Sequence, residues 1–240
     1  MYERRFYRRW VTNKDLFPCH ITVKQTDLYI LARSDIRDKA MKSTLKHRAA
    51  IEKYIQKHPL FVTTLKPYPA DDQAPLIIKE MIKASTMVDV GPMAAVAGAI
   101  AEAVGKDMLP FSSDIIIENG GDDFLRTTKK RLVGIYAGES PLSGRIALEI
   151  KPRETPLGIC TSSSTVGHSL SLGNADAVVV LSRSTSFADA AATAICNIVK
   201  NSEDIPKAIE RAQEMSNLYG IVIIKGDKLG FWGKVKIHST

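Results

Sequence analysis

Apolar and polar positions follow two different periods along this chain, and the switches between them mark its elements. Residues 21 to 32, Ile-Thr-Val-Lys-Gln-Thr-Asp-Leu-Tyr-Ile-Leu-Ala, are rich in β-branched and aromatic side chains with partial alternation. That predicts a strand or a hairpin turning at Gln25 to Asp27. The period then lengthens: Ile36, Ala40, Leu45, Ile51 and Ile55 recur at helical spacing. A helix is expected from Asp35 to about Lys57, capped by Ser34 and ended by His58-Pro59. Leu60 to Leu65 reads as a strand, and Lys66 to Pro75, with three prolines, as a loop. Helices follow at Leu76 to Ser85 and, after Asp89-Val90-Gly91-Pro92, at Met93 to Val104. Ile115 to Glu118 is an apolar run expected as a buried strand, Asn119-Gly120-Gly121-Asp122 turns it, and Leu132 to Tyr136 is the next strand.

After the loop Gly138 to Gly144 the same order of elements starts again. Arg145 to Ile150, Leu157 to Cys160 and the fully apolar Ala177 to Leu181 read as strands, and Phe187 to Lys200 and Ile205 to Ser216 as helices. Gly220 to Lys225 and Gly230 to Ile237 flank a Gly226-Asp227 turn and read as a hairpin. Runs of strands separated by runs of helices predict an α+β layer architecture, with helices on one face of mainly antiparallel sheets. The repeated order suggests one domain, 1–240, of two halves near 1–137 and 138–240, although no residue-level repeat accompanies it.

With 240 residues, 45% hydrophobic, the chain can bury a sizeable core. Its longest small and apolar run, Met93 to Val104, is interrupted by Glu102 and falls short of the roughly 20 residues a membrane span needs. The N-terminus, Met-Tyr-Glu-Arg-Arg-Phe-Tyr-Arg-Arg-Trp, has no apolar export region, so the cytoplasm is the expected location. Cys19, Cys160 and Cys196 form no CxxC pair and are expected as free thiols. The net charge of +7 raises a nucleic-acid partner, and Arg4, Arg5, Arg8 and Arg9 among Phe6, Tyr7 and Trp10 resemble a basic aromatic arm. The other cations, Lys39, Lys42, Lys46, Arg48 and Lys53, are interleaved with Asp35, Asp38 and Glu52. That is a solvated face of mixed sign rather than a one-sign footprint, so nucleic acid is not the expected partner.

The candidate chemistry concentrates between Gly158 and Asn197. Asp189 and Thr193 are four apart among alanines, so on a helix a carboxylate and a hydroxyl stack on one face. Two readings are open. The oxygens can bind a divalent cation, which would bring a phosphate with it. Alternatively, Ser186 and Asp189 fit a capping box that satisfies the start of their own helix. Asp89-Val90-Gly91-Pro92 opens a small-residue helix whose amides suit an anion, or is an ordinary helix start. Glu118-Asn119-Gly120-Gly121-Asp122-Asp123 permits close backbone approach to a ligand, or is simply a hairpin turn. Cys160-Thr161-Ser162-Ser163-Ser164-Thr165-Val166-Gly167-His168-Ser169 concentrates hydroxyls that can donate to phosphate or ribose, or forms a polar connecting loop. A nucleophile, Cys160 or a serine activated by His168, is a further possibility there.

In this order, Asp89-Val-Gly91, Asn119-Gly120-Gly121-Asp122, Val133-Gly134-Ile135, the Ser/Thr loop with His168, and Ala188-Asp189-Ala-Ala-Ala-Thr193-Ala resemble the ApbE family of FAD:protein FMN transferases. The likeness is collinear over residues 86 to 200, and ADxxxTA is its most specific part. More closely, the chain resembles an uncharacterised ApbE-like family through its VGPMAAVAGAIAE, ENGGD and TSSSTVGHSLSLGNADAVVVL stretches and its GD-LG-WG hairpin. The resemblance implies two tandem T-fold-like halves, with Asp189 and Thr193 as magnesium ligands beside the pyrophosphate of FAD. It also implies a nucleotide contact for Gly91, Gly120, Gly121, Asp122, Thr161, Ser162, Ser163 and His168, and FMN transfer to a hydroxyl of a protein partner. The chain departs from the transferases where Pro92 replaces the second glycine of DLGG and Ala95 the following lysine. Ser171 and Leu172 replace the Asp-Pro that follows their histidine. Two other functions are therefore carried: a non-catalytic binding or assembly protein, in a sulfur-assimilation setting implied by anaerobic relatives, and a thiol enzyme using Cys160.

Overall fold

The computed structural model of the chain describes residues 15–166 and 172–239. The basic aromatic arm and His168 lie outside the described residues. Strands β1 (Phe17–Val23) and β2 (Thr26–Ala32) form the first hairpin. Cys19 and Ile21 of β1 are buried while Pro18, His20 and Thr22 are exposed, as an edge strand with one solvated face requires. Helix α1 (Arg37–Lys57) begins at Ile36 without a side-chain cap. The expected cap, Ser34, instead donates to the Phe111 carbonyl (3.3 Å), because the neighbouring Arg33 amide is tied to Ser112 Oγ (3.0 Å).

Residues Leu60–Thr63 form one helical turn, α2, where the apolar run predicts a strand. Pro59 already holds helical angles (φ −59°, ψ −31°), and the turn buries Phe61 edge-on between the Tyr54 and Tyr68 rings, at 5.1 and 5.2 Å. Helix α3 (Leu76–Thr86) and a 3₁₀ turn at Pro92–Ala95 lead into α4 (Val96–Met108). Strands β3 (Ile115–Asn119) and β4 (Asp122–Arg126) follow, then β5 (Arg131–Gly134), β6 (Ile146–Ile150), β7 (Leu157–Ser162) and β8 (Ala177–Ser182). Helices α5 (Thr185–Cys196) and α6 (Ile205–Gln213) precede the closing strands β9 (Gly220–Lys225), β10 (Lys228–Gly233) and β11 (Ile237–Ser239).

Eight strands make one sheet in the order β1-β2-β3-β4-β7-β8-β9-β10, and every adjacent pair is antiparallel. Two strands, helices and two strands therefore occur twice along it, with β4 and β7 paired at the join. Helices α4 and α5 cover one face. The small sheet β11-β6-β5 supplies a second apolar layer, in which Leu148 and Ile150 join Ile159, Val179, Leu181 and Val222. Val178, Val180 and Ile221 point the other way, into the helix-side core. Strand β8 is apolar throughout because it is buried on both faces. The fold is α+β, as expected. Among the described residues no helix is long and apolar enough to cross a membrane.

Candidate functional site

The site is built where the starts of α4 and α5 meet the β3–β4 turn. Helix α5 is capped by Ser184, whose Oγ accepts the Phe187 amide (3.3 Å). The free amides of Thr185 and Ser186 donate to Glu102 Oε2 of α4, at 2.8 and 3.1 Å. Asp189 of α5 returns the arrangement: its Oδ2 accepts the Gly98 amide (2.8 Å) and its carboxylate the Ala97 amide, both in the first turn of α4. Each helix thus carries the carboxylate that satisfies the other's N-terminus, where orphan amides and the helix dipole favour an anion. This corrects the capping-box expectation. Asp189 is a cap, but of a helix 91 residues away rather than of its own.

Antiparallel α4 and α5 approach closely enough for this exchange because Gly98 has no side chain. A Cβ there would lie 2.5 Å from the Thr185 carbonyl oxygen and 2.8 Å from Asp189 Cβ. The helix start is also tied to the sheet, since Asn119 Nδ2 donates to the Ala97 carbonyl (3.0 Å). The turn that follows Asn119 needs its glycines, with φ of 72° at Gly120 and 99° at Gly121. Gly121 donates to Glu118 Oε1 (3.0 Å), and its carbonyl accepts the Thr161 amide (3.0 Å).

Pairing then decides where Asp122 points. Asp122 sits opposite Cys160 in the β4–β7 ladder, and Cys160 belongs to the helix-side core, so both side chains face α5. Asp122 is buried, and its Oδ1 has no hydrogen-bond partner among the described residues. Burial, with the Asp189 charge added, pushes the Asp122 carboxyl well above the usual carboxylate range. Asp123 and Glu118 add further negative charge around it. Burial likewise pushes Asp189 up to about 7, against the lowering effect of the Gly98 and Ala97 amides.

Cys160 is fully buried and donates its thiol to the Thr185 carbonyl (3.3 Å). Burial, then the charges of Asp122 and Asp189, raise its pKa well above that of an ordinary thiol. A protonated, inaccessible thiol is the opposite of an activated nucleophile, and the structure removes Cys160 from that role. All three cysteines are free and buried.

The remaining candidates divide. Thr193 lies one turn beyond Asp189 on the same helix face and is partly exposed. Ser162 continues the Cys160 face of β7, whereas Thr161 alternates to the opposite face. The buried Ser163 shapes its loop, its Oγ accepting the Thr165 and Val166 amides at 3.1 and 3.0 Å. Gly91 is buried, and the space of its missing side chain is filled by the backbone of Thr64 and Leu65. The pattern along the chain places Asn119 in a candidate glycine turn but does not identify Glu102 as a site residue. The one signal for Glu102 was a lone acid in a helix of small residues.

Magnesium is commonly held by one or two carboxylates together with substrate phosphates. Asp189, Thr193 and the partnerless Asp122 Oδ1 fit that donor set: hard oxygens, one of them buried without a proton donor. Among the described residues no three His, Cys, Asp or Glu side chains converge as a metal cage.

The model of a family described as "AbpE bacteria" matches residues 8–223. The UPF0280 protein MJ1526 of Methanocaldococcus jannaschii is 42% identical over 227 residues, 91% of this chain and 91% of that protein. The UPF0280 protein of Methanosarcina acetivorans is 38% identical over 219 residues, covering 90% of this chain and 86% of its own. Among solved structures, the apo flavinyl transferase ApbE of Pseudomonas stutzeri superposes with a TM-score of 0.57 over 91% of this chain and 95% of its own, at 11% identity. The ApbE protein of Thermotoga maritima gives 0.59 over 90% and 96%, also at 11% identity. At that identity the likeness is one of fold.

Proposed function

The chain belongs to the AbpE bacteria family, and we propose that its site binds a flavin nucleotide as the magnesium complex. The observation that carries this reading is the pair of neighbouring carboxylates, Asp122 and Asp189, set beside a left-handed glycine turn in an ApbE-like fold. Asp189 and Thr193 hold the cation. Bound magnesium would neutralise the diphosphate charge. Gly120 and Gly121 let the backbone approach the nucleotide. Ser162, Ser163 and His168 supply hydrogen bonds to phosphate or ribose, Thr161 steadies the glycine turn by donating its amide to the Gly121 carbonyl, and Gly91 leads the chain into the 3₁₀ turn that precedes α4. The proposal is one of binding: Pro92, Ala95, Ser171 and Leu172 stand where the transferases carry motif residues, so FMN transfer is not part of it.

Calorimetric titration of metal-stripped protein with FAD, with and without magnesium, tests the reading. Magnesium-dependent binding that weakens at least about tenfold in Asp189→Ala is expected. Heat of binding unchanged by magnesium and by the substitution would remove the cation from the site. No FAD binding under either condition would remove the nucleotide.

A further inference from the structure

We propose that Asp122 is itself a ligand of the cation, so that the ion is clasped between β4 and α5 rather than held by α5 alone. The inference rests on the magnesium reading above and deepens it. Three observations carry it. Asp122 is 94% buried, and its Oδ1 has no hydrogen-bond partner among the described residues, which is costly for a buried carboxyl oxygen and is answered by a hydrogen-bond donor or a cation. The β4–β7 register turns this side chain toward α5, the helix that carries Asp189 and Thr193. Its neighbourhood is acidic, with Asp189, Asp123 and Glu118 all contributing like charge.

A direct contact with a nucleotide phosphate would set anion against anion. A hydrogen bond from ribose would suit the oxygen but leave the Asp122–Asp189 repulsion in place. A divalent cation answers both the missing partner and the repulsion, and two carboxylates with a hydroxyl leave room for phosphate oxygens and water in an octahedral shell. Sheet and helix are separately anchored, β4 by its two ladders and α5 by the reciprocal caps, so the two carboxylates are held in place before the ion arrives.

The test uses the full chain, metal-stripped and without nucleotide, titrated with Mn²⁺ and followed by the paramagnetic resonance of free ion. Affinity is expected to fall at least about tenfold in Asp122→Asn and in the smaller Asp122→Ser, with the metal-free variants melting no lower than the parent. On the unsubstituted protein, infrared difference spectra on adding magnesium are expected to show two carboxylates changing, which needs no variant to fold. Mn²⁺ affinity within about twofold of the parent in both variants, with Asp189→Ala impaired, would overturn the role of Asp122 and leave the site standing. A parent chain that binds no Mn²⁺ would overturn the magnesium reading and this inference together.

Discussion

Two buried aspartates face opposite fates in this molecule. Asp114, just before β3, is fully buried and yet answered from all sides: Thr127 Oγ1 (3.0 Å), the Thr128 amide (2.9 Å), Thr128 Oγ1 (2.7 Å) and Arg33 Nε (3.0 Å) all donate to it. Arg131 adds a longer contact (3.4 Å) while gripping Asp15 with two nitrogens. Burial by itself would raise the Asp114 carboxyl, but the Thr128, Arg33 and Thr127 donors hold it well below the usual range. Asp122, at the other end of the β3–β4 hairpin, is similarly buried and its carboxyl is pushed up instead. Burial is common to both, so compensation decides the charge: Asp122 has only the Cys160 thiol to lower it, and the less compensated carboxyl is the one that invites a ligand.

The comparison breaks most visibly on deletion. Asp114→Ala would leave Arg33 and Arg131 to share Asp15 and the Thr127 and Thr128 donors without that acceptor, and removing one partner of a buried charge network costs roughly 3–5 kcal/mol. Urea unfolding should show that loss, with no rescue by magnesium. A cost under about 1 kcal/mol would mean that the network is a bystander and that compensation by donors does not separate the two aspartates.

Gly98→Ala comes next. The added methyl would meet the Thr185 carbonyl and Asp189 Cβ, prying α4 from α5 and loosening both reciprocal caps. Overpacking of this kind costs about 1–3 kcal/mol, read from the same urea transitions. Since the site is assembled by that helix contact and the Asp114 network is not, FAD affinity should fall in Gly98→Ala but hold in a folded Asp114→Asn.

How much of this was legible along the chain follows from how local each feature is. Strand β8 declared itself by an unbroken apolar run, because burial on both faces is written into every residue of it. Strand β4 did not, because Asp122-Asp123 open it and only Phe124 and Leu125 are apolar; its neighbours β3 and β7 recruit it. The run Leu60 to Leu65 misled in the other direction, since Pro59 and the Tyr54 and Tyr68 rings favour a helical turn over the strand its composition suggests. At the site, Asp189 stood out by its company of alanines, but its partner amides are 91 residues away. That Asp122 lacks a partner depends on ladder register and burial, which no spacing along the chain encodes.

The pH dependence of the metal-free protein sharpens the comparison with a smaller effect. For Asp114, and for Glu149, which the Lys236 ammonium holds down at about 2, the unfolded chain binds more protons than the folded one below pH 4 to 4.5. Stability from these groups is present above that range and is lost as pH falls through their folded values. Asp189 has the opposite sign. Its folded value of about 7 lies above the ordinary 3.8, so the folded state holds the extra proton and its contribution declines as pH rises from about 4 to about 7. Asp189→Asn should flatten only that upper limb, raising the melting temperature at pH 8 by at least about 2 °C while leaving the acid limb in place. An unchanged profile at pH 5 to 8 would mean that burial does not strain the Asp189 carboxyl.

Glu102→Gln, the smallest effect, separates capping from repulsion. Glu102 and Asp189 do the same work for each other's helix, but Glu102 Oε1 has Lys106 at 2.7 Å whereas Asp189 has Asp122 nearby. The glutamine oxygen can still accept the Thr185 and Ser186 amides. Only the charge term at the helix start and the Lys106 pair are lost, together about 0.5–1 kcal/mol at pH 8. The Asp189→Asn amide also keeps an oxygen for Gly98, and it turns an N–H toward the acidic side, so it should stabilise where Glu102→Gln destabilises. Equal and opposite caps would then differ in sign because Lys106 faces one carboxylate and Asp122 the other. Should both substitutions cost the same in urea titrations at pH 8, with and without magnesium, the repulsion assigned to Asp122 would be absent and the need for a cation there would go with it.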